Sequence, residues 1–496
     1  MGYVLLYLPF GVAWLLQDSP TASYAVAWTG SLFIIWATVS GRVRRLPPDR
    51  SLSLQLFRPI VFTQIVFAGY NALSSIFYFV SLRQEELALT AGEWASPALA
   101  VTAEAQSYYV LAHAGVVTGI LLLMDYRDSG RFRLVGRLGA NRMLITIAVV
   151  FFVVTLGLSF IPGMKQVTFR TLNIAVVASV LSFALSLIHR EGTLIVLNAA
   201  LFAANFAAAV LRGWKEDVLV LLLLFFAALF PYYRRATVTV GSVALLLFVL
   251  IMPAYTKVYR SLAWYGEATP AAAAKIAYDQ VISGKMDLGL ATEEFLEGRL
   301  SEIGMFVRYI NQVPENRPFY GSQLVVQAAS NLVPRIVWQD KPNTEIVVME
   351  RVYENDIFSR LAIISAKPQY VVDGYLSAGI LGVLFASIFY GLLVSLMSRL
   401  AERWFGGYTF GSGLVYAALF PIFWRGNAFE FFFGTVFWSF VLMVVLFQAG
   451  RRFHFLVPAA RPLRRGVVPA WSGARGSSWP QPVSPILPGG QSQGQH

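Results

Sequence analysis

A succession of long apolar runs constrains this chain more than any other feature. They lie near 22–41, 59–82, 105–124, 144–162, 172–189, 192–210, 218–233, 236–255, 371–397, 409–425 and 431–449, with a shorter run at 3–16. About 20 apolar residues in a helix cross the hydrocarbon core of a bilayer. The expected fold is therefore an all-α polytopic integral membrane protein of about twelve transmembrane helices. Composition agrees: 57% of the residues are hydrophobic and only 13% are charged, against about 25% charged in an ordinary globular chain. A soluble enzyme, a disordered protein and a disulfide-stapled secreted protein are all excluded. Cysteine is absent, which removes thiol nucleophiles and thiolate metal sites. Four histidines, at 113, 189, 454 and 496, leave little room for a histidine-based metal site.

Charge sets the orientation. The net charge of +12 would suit a nucleic-acid binder, but its distribution follows the positive-inside rule instead. The segments 42–58, 125–143, 189–191, 234–235, 398–408 and 451–496 total +16, and the connections on the other side total −3. Both termini are thus expected in the cytoplasm. The run 3–16 has no cleavage pattern and no basic leader, so it is expected to span. The chain divides into an N-terminal bundle (1–255), a large and mostly helical outer loop (256–370), three C-terminal spans (371–449) and a basic tail (450–496). From 456 the tail is rich in Pro, Gly, Ser and Arg and is expected to be disordered. An outer loop of about 115 residues is the natural place to look for function.

Within that loop, 292–312 reads as one helix capped by Thr292, with Leu296, Leu300, Ile303, Val307 and Ile310 as its apolar stripe. Arg299 lies on the edge of that stripe, where it can pair with Glu302 or face a ligand. Further along, Pro334 and Pro342 bracket Arg335, Trp338 and Lys341. A rigid, basic, aromatic turn at a membrane surface suits an anionic headgroup; it also suits plain interfacial anchoring. Asp373 opens a span, where a helix dipole favours an acid. Arg425 and Glu430 flank the last span in an aromatic setting, and His113 lies inside one. Ionisable residues at such positions are costly and point to function; the plain alternatives are that Arg425 and Glu430 pair with each other or snorkel outward and that His113 is a hydrogen bonder inside the bundle.

The run Gly298-Arg299-Leu300, then Phe319-Tyr320-Gly321-Ser322, then Val333 to Pro342 resembles the large outer loop of Wzy-type oligosaccharide repeat-unit polymerases, members of the O-antigen polymerase and ligase superfamily. The stretch Val372-Asp373-Gly374-Tyr375-Leu376-Ser377-Ala378-Gly379-Ile380-Leu381-Gly382 is similar to the acidic, Gly- and Tyr-containing entry to that family's next span. The Arg-Gly pairs at 212–213 and 425–426 match a habit of the superfamily. The resemblance implies a bacterial inner-membrane enzyme with its long loop in the periplasm. Such an enzyme transfers a polyprenyl-pyrophosphate-linked glycan to a hydroxyl of another lipid-linked unit and releases polyprenyl pyrophosphate. Its implied partners are lipid-linked oligosaccharides, membrane lipids, a flippase and a chain-length regulator, and no nucleic acid.

That chemistry needs a cationic clamp for the leaving pyrophosphate and a base for the acceptor hydroxyl. The outer cations are Arg212, Arg299, Arg317, Arg335, Lys341, Arg351, Lys367 and Arg425. The expected catalytic residues are Asp373 as base, with Glu302 and Glu430 as rivals, and Arg335 and Arg425 as clamp. Arg299, Lys341, Arg212, Trp338, Tyr375 and Glu430 are expected to bind substrate. No metal or cofactor is expected, since arginine forks can replace magnesium at a pyrophosphate. The alternatives are ligase-type transfer, disfavoured by a loop without histidine, and a lipid-linked-oligosaccharide transporter or flippase, disfavoured by the absence of repeated halves.

Overall fold

The computed structural model describes residues 2–89, 97–135, 138–213, 215–263, 266–333, 337–361 and 366–459. Among these residues nine helices are long and apolar enough to cross a membrane: Pro20–Val39, Phe62–Glu85, Pro97–Leu123, Ala140–Ser159, Gln166–His189, Gly192–Leu211, Arg234–Ala263, Tyr370–Trp404 and Phe429–Arg452. The protein is thus a helical, multi-pass membrane protein. Three expected spans take other forms. The run at 3–16 is the twelve-residue helix Val4–Leu15, with Pro9 inside it. The run at 218–233 is the fifteen-residue helix Lys215–Leu229. The run at 409–425 breaks into Thr409–Tyr416, Ala417–Leu419 and Ile422–Arg425.

Burial ranks the spans. Pro97–Leu123 is the central helix, 83% buried over its apolar 18-residue stretch, whereas the corresponding stretches of Ala140–Ser159, Gly192–Leu211 and Arg234–Ala263 are at most 17% buried and present Val, Leu and Phe outward. The central helix crosses 380–404 at close range. A Cβ on Gly119 would meet the Ile388 carbonyl at 2.2 Å, and one on Gly391 the Val116 carbonyl at 2.1 Å. Small residues at such a crossing let helix backbones touch, the main source of packing where no hydrophobic effect operates.

The span expected to begin at 371 does not run straight. Ala378 and Gly379 leave helical geometry, and Gly379 takes φ +57°. Residues 370–377 then fold back against the segment after the bend. The Gly374 carbonyl lies against Gly382, where a Cβ would stand 1.9 Å away, and the rings of Tyr370 and Tyr390 stack at 4.1 Å. On a straight helix those two tyrosines would lie roughly 30 Å apart. Only glycine tolerates this contact and this turn. The carbonyls of Leu376 and Ser377, freed by the bend, accept hydrogen bonds from Tyr320 and Gly321 of the outer loop at 2.9 and 3.0 Å.

At the other end of the bundle, segments assigned to the cytoplasm converge. Arg58, fully buried, donates to Glu402 at 2.9 Å and to Asp49 at 2.7 Å; Ser129 and Ser412 donate to Glu402 at 2.7 and 2.8 Å. Strands β1 (Phe132–Leu134) and β2 (Leu456–Pro458) pair antiparallel. The first residues of the expected disordered tail are therefore ordered; 460–496 lie outside the described residues.

The outer loop is helical but not in the expected pieces. Leu288–Phe295 and the π-helical turn Leu296–Leu300 precede an extended Ser301, and a new helix starts at Ile303. Apolar spacing continues unbroken through this point, so periodicity alone gives one helix. Ile303–Gln312 buries Ile303, Phe306, Val307 and Ile310 against the central helix.

Candidate functional site

Arg351 lies on the loop helix Thr344–Glu354, with Val348, Met349 and Val352 buried beside it. This inward face carries the guanidinium into the bundle, where it is only 3% exposed. Its Nη1 donates to Asp373 Oδ1 at 2.6 Å and its Nη2 to Glu430 Oε1 at 2.5 Å. Asp373 reaches it from the folded-back arm 370–377, and Glu430 from the first turn of the last span. The second oxygen of Asp373 accepts the Phe429 amide at 2.7 Å. One cation is thus shared by two fully buried carboxylates. Burial pulls the guanidinium pKa down, but Asp373 and Glu430 outweigh it and hold Arg351 above the usual arginine range. Arg351 Nε and Glu430 Oε2 are buried without a hydrogen-bond partner among the described residues.

Tyrosines crowd this centre. The buried Tyr309 hydroxyl has no partner among the described residues, and the Tyr320 hydroxyl accepts from Asn355 at 2.8 Å. Tyr375, two residues beyond Asp373, donates to the Val313 carbonyl at 2.7 Å, and its ring lies among Tyr108, Phe306 and Phe319. Tyr108 also lines a cleft of about 210 Å³ with Trp14, Gln17, Glu104 and Ile380. Glu302, half-buried, accepts from the Tyr70 hydroxyl at 3.0 Å. Burial pushes its carboxyl up to about 7, Tyr70 and Gln369 pull the other way, and Glu216 adds to the rise.

Of the expected site residues, the structure brings together Asp373 and Glu430, with Tyr375 alongside. Arg212 instead pairs with Asp217 at 3.1 Å on the surface. Lys341 folds back onto its own turn, donating to the carbonyls of Asn331 and Val333 at 2.8 and 3.0 Å, and Trp338 is exposed. Arg335 lies outside the described residues. Only the backbone of Arg299, in the Leu296–Leu300 turn, and of Arg425, at the end of Ile422–Arg425, is described. His113 is buried beside Phe67, and neither ring nitrogen has a hydrogen-bond partner among the described residues. Arg351 stood in the sequence as one of eight outer cations. Its signal was its place on the apolar side of a short amphipathic helix, a subtle one beside the proline-bracketed turn.

Among the described residues no group of three or more His, Asp or Glu could hold a metal ion. No curated protein and no solved structure matches the chain. The family described as "Domain of unknown function (DUF8712)" matches residues 8–458, and a chain matched over so much of its length belongs to that family.

Proposed function

We propose that this chain is a bacterial inner-membrane glycosyltransferase that polymerises surface-polysaccharide repeat units, with its long loop in the periplasm. A glycan leaves polyprenyl pyrophosphate for a hydroxyl of a second lipid-linked unit. The anomeric carbon–oxygen bond to the pyrophosphate breaks, the lipid pyrophosphate keeps the electron pair, and the acceptor oxygen forms the new bond. The observation that carries the reading is the meeting of Arg351, Asp373 and Glu430 directly under the loop whose residues resemble the Wzy-type polymerases. An arginine fork held by two acids is pre-aimed, and an incoming pyrophosphate can take one acid's place on it. The carboxylate released is then free to accept the acceptor's proton. Asp373 and Glu430 share that role: Asp373 is fixed by two hydrogen bonds, while one oxygen of Glu430 has no partner among the described residues. The surrounding aromatic side chains suit sugar rings, and Arg335 and Arg425 complete the clamp.

The test is polymerisation of purified lipid-linked repeat units in proteoliposomes. Wild type is expected to make a ladder of products, with a chelator present or absent. Asp373→Asn and Arg351→Lys are expected to lose on the order of 10²-fold in rate. Ladder formation at the parental rate in both variants would remove the site. Transfer to a different acceptor, or translocation without a new glycosidic bond, would replace the reading with a ligase or a flippase.

A further inference from the structure

Residues 318–334 carry no charge, although they lie between Arg317 and Arg335 in the loop that the charge count assigns to the outer side. This stretch holds the helix Gln323–Ser330, which seats Leu324 and Ala328 inward. A helix washed by water on its other side carries polar residues there. Here the outward face is Val325, Val326 and Ala329, and the two valines are 46% and 64% exposed. Apolar residues on both faces mark a helix with apolar matter on both sides.

The depth of this helix follows from its neighbours. Just ahead of it, the amides of Tyr320 and Gly321 donate to the Leu376 and Ser377 carbonyls at the bend, and the Phe319 ring lies 3.3 Å from where a Cβ on Gly379 would stand. The helix itself packs against the last span, Phe429–Arg452. That span has 24 residues and is about 36 Å long. Its inner end carries Arg451 and Arg452, whose charges belong at headgroup level. About 30 Å of hydrocarbon measured along the helix from there ends near Phe431. A helix packed on this span therefore meets it at the outer edge of the hydrocarbon, not out in the periplasm.

We infer that Gln323–Ser330 is an in-plane membrane helix that sinks Val325, Val326 and Ala329 into the acyl chains of the outer leaflet. Lipid is the occupant that the surroundings select. The helix adjoins a span whose own exposed side chains, Phe437 and Val445, face lipid. The uncharged stretch ends at an arginine on each side, as membrane-seated segments commonly do. So placed, the helix ties the bend beyond Asp373 to the bilayer surface, and the loop as well as the spans sets the depth of the Arg351 centre. The inference holds whatever reaction that centre performs.

The chain has no cysteine, so single nitroxide labels can be placed at Val325→Cys, Val326→Cys and Ala329→Cys in the full chain. The labelled protein is put into nanodiscs of phosphatidylethanolamine and phosphatidylglycerol. Collision with molecular oxygen, which concentrates in lipid, is compared with collision with a water-soluble nickel chelate. Phe385→Cys, at a side chain 66% exposed on a span, is the lipid reference, and Glu315→Cys, exposed just ahead of the stretch, is the water reference. The three helix positions are expected to match Phe385→Cys in their oxygen-to-chelate ratio and to lie far above Glu315→Cys. Ala329→Cys decides the matter where a label at either valine disturbs the helix. A ratio like that of Glu315→Cys overturns the inference, because the face is then in water. Poor access to both reagents overturns it too, because the face is then covered by protein, whether another segment or a second copy. No readout involves turnover, so the outcome is separate from that of the polymerisation assay.

Discussion

Arg351 bonds acids 22 and 79 residues further along the chain, so one guanidinium fastens a loop helix to two spans. Removing it leaves two buried carboxylates with no ion-pair partner among the described residues. Breaking a buried pair in this way typically costs about 3–5 kcal/mol, whereas replacing all its members with neutral groups of similar shape is often neutral. Arg351→Ala is therefore expected to lower the melting temperature sharply in detergent. The triple variant Arg351→Met, Asp373→Asn, Glu430→Gln should recover most of it while remaining inactive. A melting temperature unchanged in Arg351→Ala would show the triad to be energetically idle. Two of the three residues of this centre, Asp373 and Glu430, were legible in the sequence, because an acid at the edge of an apolar span stands out against its cost. Arg351 was not, since a charged residue on a short amphipathic helix looks like any surface residue until its face is known.

The folded-back arm is the element that hydropathy alone reads wrongly. Apolar residues continue through 371–397, and a moving average carries no information about chain direction. The signal was in the glycines: Gly374 and Gly382 sit on either side of Gly379, spaced for a bend with two touching backbones. Because the chain has no native cysteine, Tyr370→Cys with Tyr390→Cys can test the bend directly. A short bifunctional thiol reagent should link the pair in the membrane. A straight helix would hold those positions roughly 30 Å apart and give no link. Gly382→Val should abolish the cross-link along with correct insertion, since even a Cβ there collides with the Gly374 carbonyl. The break at Ser301 was hidden for a related reason: the apolar stripe keeps its phase across it, and only the half-buried Glu302 marks the join.

For the whole molecule, the charge count and the packing can be compared with one labelling experiment. Segments assigned to the same side of the membrane meet in the fold: 49, 58, 129 and 402 at one end, and 320, 351, 373 and 430 at the other. Ser51→Cys and Ser283→Cys lie on exposed positions in the two groups of segments. Ser301, in the same loop, is buried and would be a poor reporter. An impermeant thiol reagent admitted only to the periplasm is expected to label Ser283→Cys and spare Ser51→Cys; the opposite pattern would invert the topology. The segment 380–404 joins the two ends. At its outer end Gly382 seats the arm that carries Asp373, and at its inner end Glu402 locks onto Arg58. A rod clamped at both ends has a fixed phase as well as a fixed length. Each residue inserted between the clamps would turn one end relative to the other by about 100° and lift it by about 1.5 Å. A single-residue insertion or deletion in this apolar stretch, where hydropathy would scarcely register the change, would swing Glu402 away from Arg58 or Asp373 away from Arg351.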